Sequence, residues 1–385
     1  MSSNTSPQLI LDLDNTLRDV LNQPTIDNIH RCFSLIKQCH YRRLKEEQSI
    51  KDDSLYVPAI LLLRQFPRFQ APATFDQLLQ EFLTLFPLIP ISTKKILDDL
   101  LCITSIILTK RIMNTNDEVQ QDLYLRFFRQ LCLAIKINRD FFFREFLGNF
   151  NQNLPIIGHY LSCFLQLYEK NPSLDYRLNI LETISVLFAA ESIENDYQAI
   201  VGQILACFLP GILKSLVQDI SAVHQRLIHS TLILLSYIIR VTVRPSSKSI
   251  ANKDSIKVEL RDMIVERNEQ WLMIVDAHLA PLLQRLTKDY LNHESVAVRR
   301  ALGIFMLTIL CYSSNWLKIS RNLAMKTMLA LLSTINQSSN DLLILKILLE
   351  KLFKCKQNPF HEDFRSHFCF STGGTSAHFV FSSAL

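Results

Sequence analysis

DYRLNILETISVLFA (Asp175–Ala189), VHQRLIHSTLILLSYII (Val223–Ile239) and VAVRRALGIFMLTIL (Val296–Leu310) decide the fold. Each opens on a polar turn, places an Arg near its start (Arg177, Arg226, Arg300) and then runs apolar for about twelve residues, the signature of a helix buried on more than one side. Such helices must stack on one another. Arg177 and Arg226 are 49 residues apart, near the repeat of about 40–47 residues in HEAT-type helix pairs. Arg226 and Arg300 are 74 apart, and that interval holds a polar insertion, RPSSKSIANKD (Arg244–Asp254).

Working outward, apolar residues keep helical spacing almost everywhere. Leu9, Leu13, Leu17, Val20 and Leu21 share one face of a first helix, and Ile26, Ile29, Phe33, Ile36 and Leu44 share one of a second. Further helices are expected near 54–69, 74–86, 93–113, 117–136, 139–150, 154–170, 173–190, 197–217 and 221–243, then 256–292 with a break, 295–313, 316–335 and 341–356. The connectors carry Ser92-Thr93, Asn116-Asp117, Asn171-Pro172-Ser173 and Asn340-Asp341, side chains that accept the free N–H groups of a first helical turn. Pro210 and Pro281 sit among apolar residues and read as kinks or helix starts. The expectation is an all-α chain: an α-solenoid of antiparallel helix pairs over 1–358, interrupted by the polar loop 244–254. An irregular tail follows over 359–385, rich in Ser, Phe and Gly.

Composition agrees. The 385 residues hold only 7 Gly and 13 Pro, less than half the usual share of about 12%. That shortage excludes turn-rich all-β folds, and no Gly-rich phosphate loop occurs. With 48% hydrophobic residues and a net charge of +5, neither disorder nor a strongly basic nucleic-acid partner is indicated. The uncharged apolar stretches Tyr197–Leu213 and Ala301–Leu317 are interrupted by Gln198, Gln203 and Pro210, and by Ser313, Ser314 and Asn315. A membrane-spanning helix needs about 20 apolar residues, so both read as core helices. Nine scattered cysteines without a C-x-x-C pair read as buried, reduced thiols of a cytosolic or nuclear protein.

One motif looks catalytic. LILDLDNTL (Leu9–Leu17) matches the D-x-D-x-T of haloacid-dehalogenase-like phosphatases, in which Asp12 would be nucleophile and Asp14 general acid/base, with Mg²⁺. That chemistry needs a parallel sheet to deliver a Ser/Thr, a Lys and a second acidic pair. No strand–helix alternation follows, and the only nearby acidic pair, Asp98-Asp99, falls inside a helical run. The helical reading leaves Leu9, Leu13 and Leu17 inward and Asp12 and Asp19 in water. His224 and His229, five apart, have the wrong spacing for a metal site on one helix face. HYRRLK (His40–Lys45), followed by Glu46 and Glu47, reads as a solvated helix end. The stripe Phe127, Phe128, Phe141, Phe142, Phe143, Phe146 and Phe150 reads as core between repeats, with a partner groove as the alternative. No catalytic, cofactor or metal residue is assigned, and the sequence names no partner-binding residue.

FLPGI (Phe208–Ile212), RNEQWL (Arg267–Leu272), HESVAVRRAL (His293–Leu302), Cys311 and, earlier, PAILLLRQF (Pro58–Phe66) together resemble the TELO-two-interacting protein 1 family. This is the long HEAT-repeat subunit of the TTT co-chaperone complex. The resemblance implies a non-enzymatic scaffold, without cofactor, of which this chain corresponds to the N-terminal part. It implies as partners the other TTT subunits, the heat-shock protein 90 machinery and the phosphatidylinositol-3-kinase-related kinases whose maturation the complex supports. It implies a cytoplasmic, and also nuclear, protein, with Val298-Arg299 opening an inner helix and Trp271 packed between repeats. A generic HEAT or armadillo scaffold, such as a transport receptor or regulatory subunit, is the alternative.

Overall fold

Leu9, Leu13, Thr16, Leu17 and Val20, spaced three and four apart, are all buried on one side of the first helix, α1 (Ser6–Asn22). A computed structural model describes residues 6–45, 56–65, 72–85, 94–107, 112, 114, 115, 117–136, 139–171, 173–188, 195–217, 224–244, 264–313, 315–334, 368–370 and 379–381. After α1 come α2 (Ile26–Lys45), α3 (Tyr56–Gln65), α4 (Pro72–Leu83), α5 (Lys94–Ile107) and α6 (Glu118–Lys136). The short α7 (Arg139–Phe141) runs into a π-helical turn (Phe142–Leu147), followed by α8 (Phe150–Lys170), α9 (Leu174–Leu187) and α10 (Asn195–Val217). Then follow α11 (Gln225–Thr242), α12 (Glu269–Tyr290), α13 (Val296–Tyr312) and α14 (Lys318–Thr334). The helical-repeat expectation therefore holds. The helix expected at 341–356 and the loop from 245 to 254 lie outside the described residues. In the tail, β1 (Phe368–Phe370) pairs antiparallel with β2 (Phe379–Phe381), Phe368 opposite Phe381.

The helices form two compact units, Met1–Asp219 with Lys248–Val265, and Ile220–Ser247 with Glu266–Leu385. In the first, alternate helices (three apart across the short α7) stack into layers: α2, α4, α6 and α9 in one, α1, α3, α5, α8 and α10 in the other. The first layer is joined by an aromatic series. Phe33 of α2 meets Phe82 of α4 edge-on at 6.1 Å between ring centres, and Phe82 meets Phe127 of α6 at 6.0 Å. Phe128 crosses to the second layer, against Tyr160 (4.7 Å) and Phe164 (4.9 Å) of α8. Polar ties run along the same layers. His30 contacts Glu81 at 2.7 Å, the Tyr124 hydroxyl donates to Asp76 at 2.9 Å, Arg64 pairs with Asp99, and Arg129 pairs with Glu182. In the second unit α11 packs on α13, and α14 packs on both α12 and α13.

The structure departs from the sequence reading at several points. Leu21, expected inward, is 38% exposed: it lies one position past Val20, about 100° further round the helix. Of the two readings of Pro210 and Pro281, that of a helix start is excluded: both lie inside a helix, in α10 and α12, where the kink reading puts them. The stretch expected as one helix over 139–150 is α7 and the π turn. Asn153 of α8 closes that turn by donating its Nδ2 to the carbonyls of Glu145 (2.8 Å) and Phe146 (2.9 Å). By length and composition, Gln198–Val217 of α10 could cross a membrane, a stretch longer than the one marked in the sequence. In the fold it packs on α8 and the π turn, with Gln198 and Gln203 buried.

Candidate functional site

The D-x-D-x-T residues lie on α1, not on a strand followed by a loop. On an α-helix, side chains two apart point about 200° away from each other, so Asp12 and Asp14 cannot converge on one phosphate. Asp14 is exposed. Asp12 is half-buried rather than fully in water, its Oδ1 accepting from Gln8 Nε2 at 3.0 Å. Thr16 is buried and donates to the Asp12 carbonyl at 2.8 Å, a local helix bond. The acidic pair Asp98-Asp99 sits on α5, with Asp99 held by Arg64 of α3. The motif is helix packing with a coincidental spelling.

The other candidates resolve in the same way. His224 caps α11, its Nδ1 accepting the Arg226 N–H at 3.2 Å. No group of His, Cys, Asp or Glu suited to a metal occurs among the described residues. Phe127, Phe128, Phe142, Phe143 and Phe146 are buried and Phe141 is half-buried, which makes the aromatic stripe core and not a groove; the Phe150 side chain lies outside the description. Of HYRRLK, Tyr41 is exposed and the other side chains are outside the described set. Cys32, Cys39, Cys132 and Cys163 are buried, but Cys102 is exposed on α5. Burial pushes the thiols of Cys32 and Cys132 up to about 12, so they are poor nucleophiles. In FLPGI, Phe208 lies over Gly158 of α8, where a Cβ would stand 2.6 Å from the ring. Trp271 is half-buried; Val298 is buried in the first turn of α13.

What sequence reasoning missed is a clamp that recurs at helix starts. The side chain of one connector residue accepts the N–H two residues on, and its carbonyl accepts a side chain six residues on. Thr115 Oγ1 takes the Asp117 N–H at 3.2 Å, and its carbonyl takes Gln121 Nε2 at 2.8 Å. Asn171 Oδ1 takes the Ser173 N–H at 2.8 Å, and its carbonyl takes Arg177 Nε at 2.6 Å. His293 Nδ1 takes the Ser295 N–H at 3.0 Å, and its carbonyl takes Arg299 Nη1. The signal in the sequence is a polar residue, Asp or Ser two later, and Gln or Arg six later. Among the three arginines that open the aligned segments, Arg177 makes the clamp; in the third segment Arg299, not the exposed Arg300, is its equivalent, and the connector before Arg226 lies outside the described residues.

A second device holds α14. Asp276 of α12 is buried, and its two oxygens accept the N–H groups of Ile319 (2.9 Å) and Ser320 (2.8 Å) in the first turn of α14. The cap comes from another helix. Arg321, also buried, donates to the Ser313 carbonyl and to Asn315 Oδ1, both at 3.2 Å.

Stacked helix layers, capped and clamped at their joints, with candidate motifs consumed by packing, define a helical-repeat scaffold. A family model described as the TTI1 N-terminal TPR domain matches residues 12–334, and the chain belongs to that family, one of scaffolds rather than enzymes. The description classes the repeats as TPR, where the 49-residue interval reads as HEAT-type; both are stacked antiparallel helix pairs. No curated protein and no solved structure matches the chain.

Proposed function

We propose that this protein is a non-enzymatic scaffold that works in a TTT-type co-chaperone assembly, supporting the maturation and stability of phosphatidylinositol-3-kinase-related kinases, among them TOR. The observation that carries this reading is the family match across 12–334. Partners in this reading are the other TTT subunits, client kinases and the heat-shock protein 90 machinery, met in the cytoplasm and also in the nucleus. Neither cofactor, nucleic acid nor membrane is needed. Stacked repeats suit such work because each contacts only its neighbours, which leaves long faces for large clients.

The test is affinity purification of the tagged chain from its own cells, together with client abundance after depletion. Recovery of two further helical-repeat subunits, and a fall in kinase levels, is the expected result. Recovery of transport cargo or phosphatase subunits instead would replace the reading with a generic repeat scaffold. Mg²⁺-dependent hydrolysis of an aryl phosphate that disappears in Asp12→Asn would replace it with an enzyme.

A further inference from the structure

The outward face of α12 is uncharged through its middle. From Gln270 to Gln284 its exposed residues are Gln270, Met273, Ile274, Ala277, His278, Pro281 and Gln284, with no carboxylate, Lys or Arg among them. Met273 is 48% and Ile274 57% exposed. Asp276 anchors the start of α14 to α12, which brings Ile319, 55% exposed, beside this face. By contrast, α14 exposes Lys318 and Lys326 along its own face, and α1 in the other unit exposes Asp14, Arg18 and Asp19 within six positions.

Charge returns at the two ends of the face, with opposite signs. Glu266 and Glu269 are exposed at its beginning, Arg285 and Lys288 at its end. Ala277 lies midway along the helix between Glu269 and Arg285, each eight residues from it, with Glu266 in the connector just before the acidic end and Lys288 one turn beyond Arg285. Two copies of α12 laid antiparallel across Ala277 therefore set the acidic end of each at the height of the basic end of the other. Gln270 stands level with Gln284, and Met273 with Pro281. The small Ala277 side chain at the crossing permits close approach of the two axes. Arg285 already contacts Asp289 at 3.7 Å, but an exposed pair of that kind contributes little and can be exchanged. A face that complements itself after a half-turn is the requirement for an isologous two-fold dimer.

We propose that the uncharged face of α12 is a homodimer interface, its occupant a second copy of this chain packed antiparallel through Met273, Ile274, Ala277 and Pro281, with Ile319 at its edge. One helix pair is a small interface, so the association is of micromolar strength, about 1–100 μM.

Sedimentation equilibrium of the 385-residue chain over that range tests it. The expected result is a reversible monomer–dimer equilibrium, weakened at least about tenfold by Ala277→Glu, which buries charge at the crossing. Glu266→Lys with Glu269→Lys should weaken it comparably, by setting like charges together at both ends. Adding Arg285→Glu and Lys288→Glu to that pair should restore it, because the end-to-end complement returns. All five positions are exposed, so helix content and melting temperature should match the parent, and a variant that fails this check is replaced by Ile274→Ser. A chain that stays monomeric to the highest concentration overturns the proposal and assigns the face to a different protein. So does a dimer indifferent to these variants, or one in which the fourfold swap fails to restore association.

Discussion

Gly148 and Gly211 show how two residues of one type carry different meanings. At Gly148, where the π turn ends, a Cβ would lie 2.8 Å from the Arg144 carbonyl and 2.9 Å from that of Phe143. Both obstacles are backbone, which cannot rotate away. Gly211, inside α10, has nothing within 4 Å of its Cβ position. Gly148→Ala should therefore cost about 1–3 kcal/mol, the range of local strain, whereas Gly211→Ala should stabilise by up to about 1 kcal/mol through helix propensity. Denaturant unfolding of the two variants measures both, and equal effects would refute the assignment. The cysteines separate in the same way. Burial raises the Cys132 thiol from 9.0 to about 12, while Cys102 is exposed. Under native conditions near pH 8, pulsed alkylation should mark Cys102 and leave Cys32 and Cys132 until the chain unfolds. Because the unfolded thiol ionises first, the stability gained by keeping Cys132 neutral is complete below pH 9 and is lost as pH rises toward 12.

For the helices, the decisive chemistry sits at their starts. The connector clamps use a charged or amide side chain to satisfy a carbonyl that the turn would otherwise leave to solvent. Arg177→Ala removes the bond to the Asn171 carbonyl and also the stacking of the guanidinium 5.3 Å above the Tyr168 ring. A loss of about 1–2 kcal/mol is expected, with Arg177→Lys recovering only part because a point charge lacks the planar fork. Arg300→Ala, one residue from a true clamp, should change stability by less than about 0.5 kcal/mol, as at open surface. Asp276 has more at stake. Asp276→Ala leaves two amides of α14 without their buried acceptor and should cost about 2–3 kcal/mol, above an ordinary N-cap loss. Asp276→Asn, with one acceptor oxygen, should fall between. Thermal unfolding followed by circular dichroism distinguishes the three outcomes.

At the scale of the whole molecule, the paired helices hold themselves through neighbour contacts, and the short strands near the C-terminus pair with each other. Two strands of three residues contribute little by themselves. Deleting 359–385 should leave the melting temperature of the helices within about 1 °C, less than about 0.5 kcal/mol for a chain of this size. A collapse of the transition would mean that the tail is a cap. The helical class was legible in the sequence because a period of 3.6 and scarce Gly and Pro leave few alternatives, and Leu9, Leu13, Leu17 and Val20 went inward as spaced. So was the reading of the aromatic stripe as core, since a helix carrying Phe127 and Phe128 beside Leu123, Leu131 and Ile135 has to be covered. The rest was decided only in three dimensions. Spacing cannot tell that Arg299 and not Arg300 turns back to its connector, because adjacent residues differ by about 100° around the axis and the path of the preceding turn selects one. Nor can it tell that Asp276, forty-odd residues before α14, supplies that helix's cap. Local periodicity governs which residues form helices; which helix ends meet, and which face of α12 is left open, depends on the register of one repeat against the next.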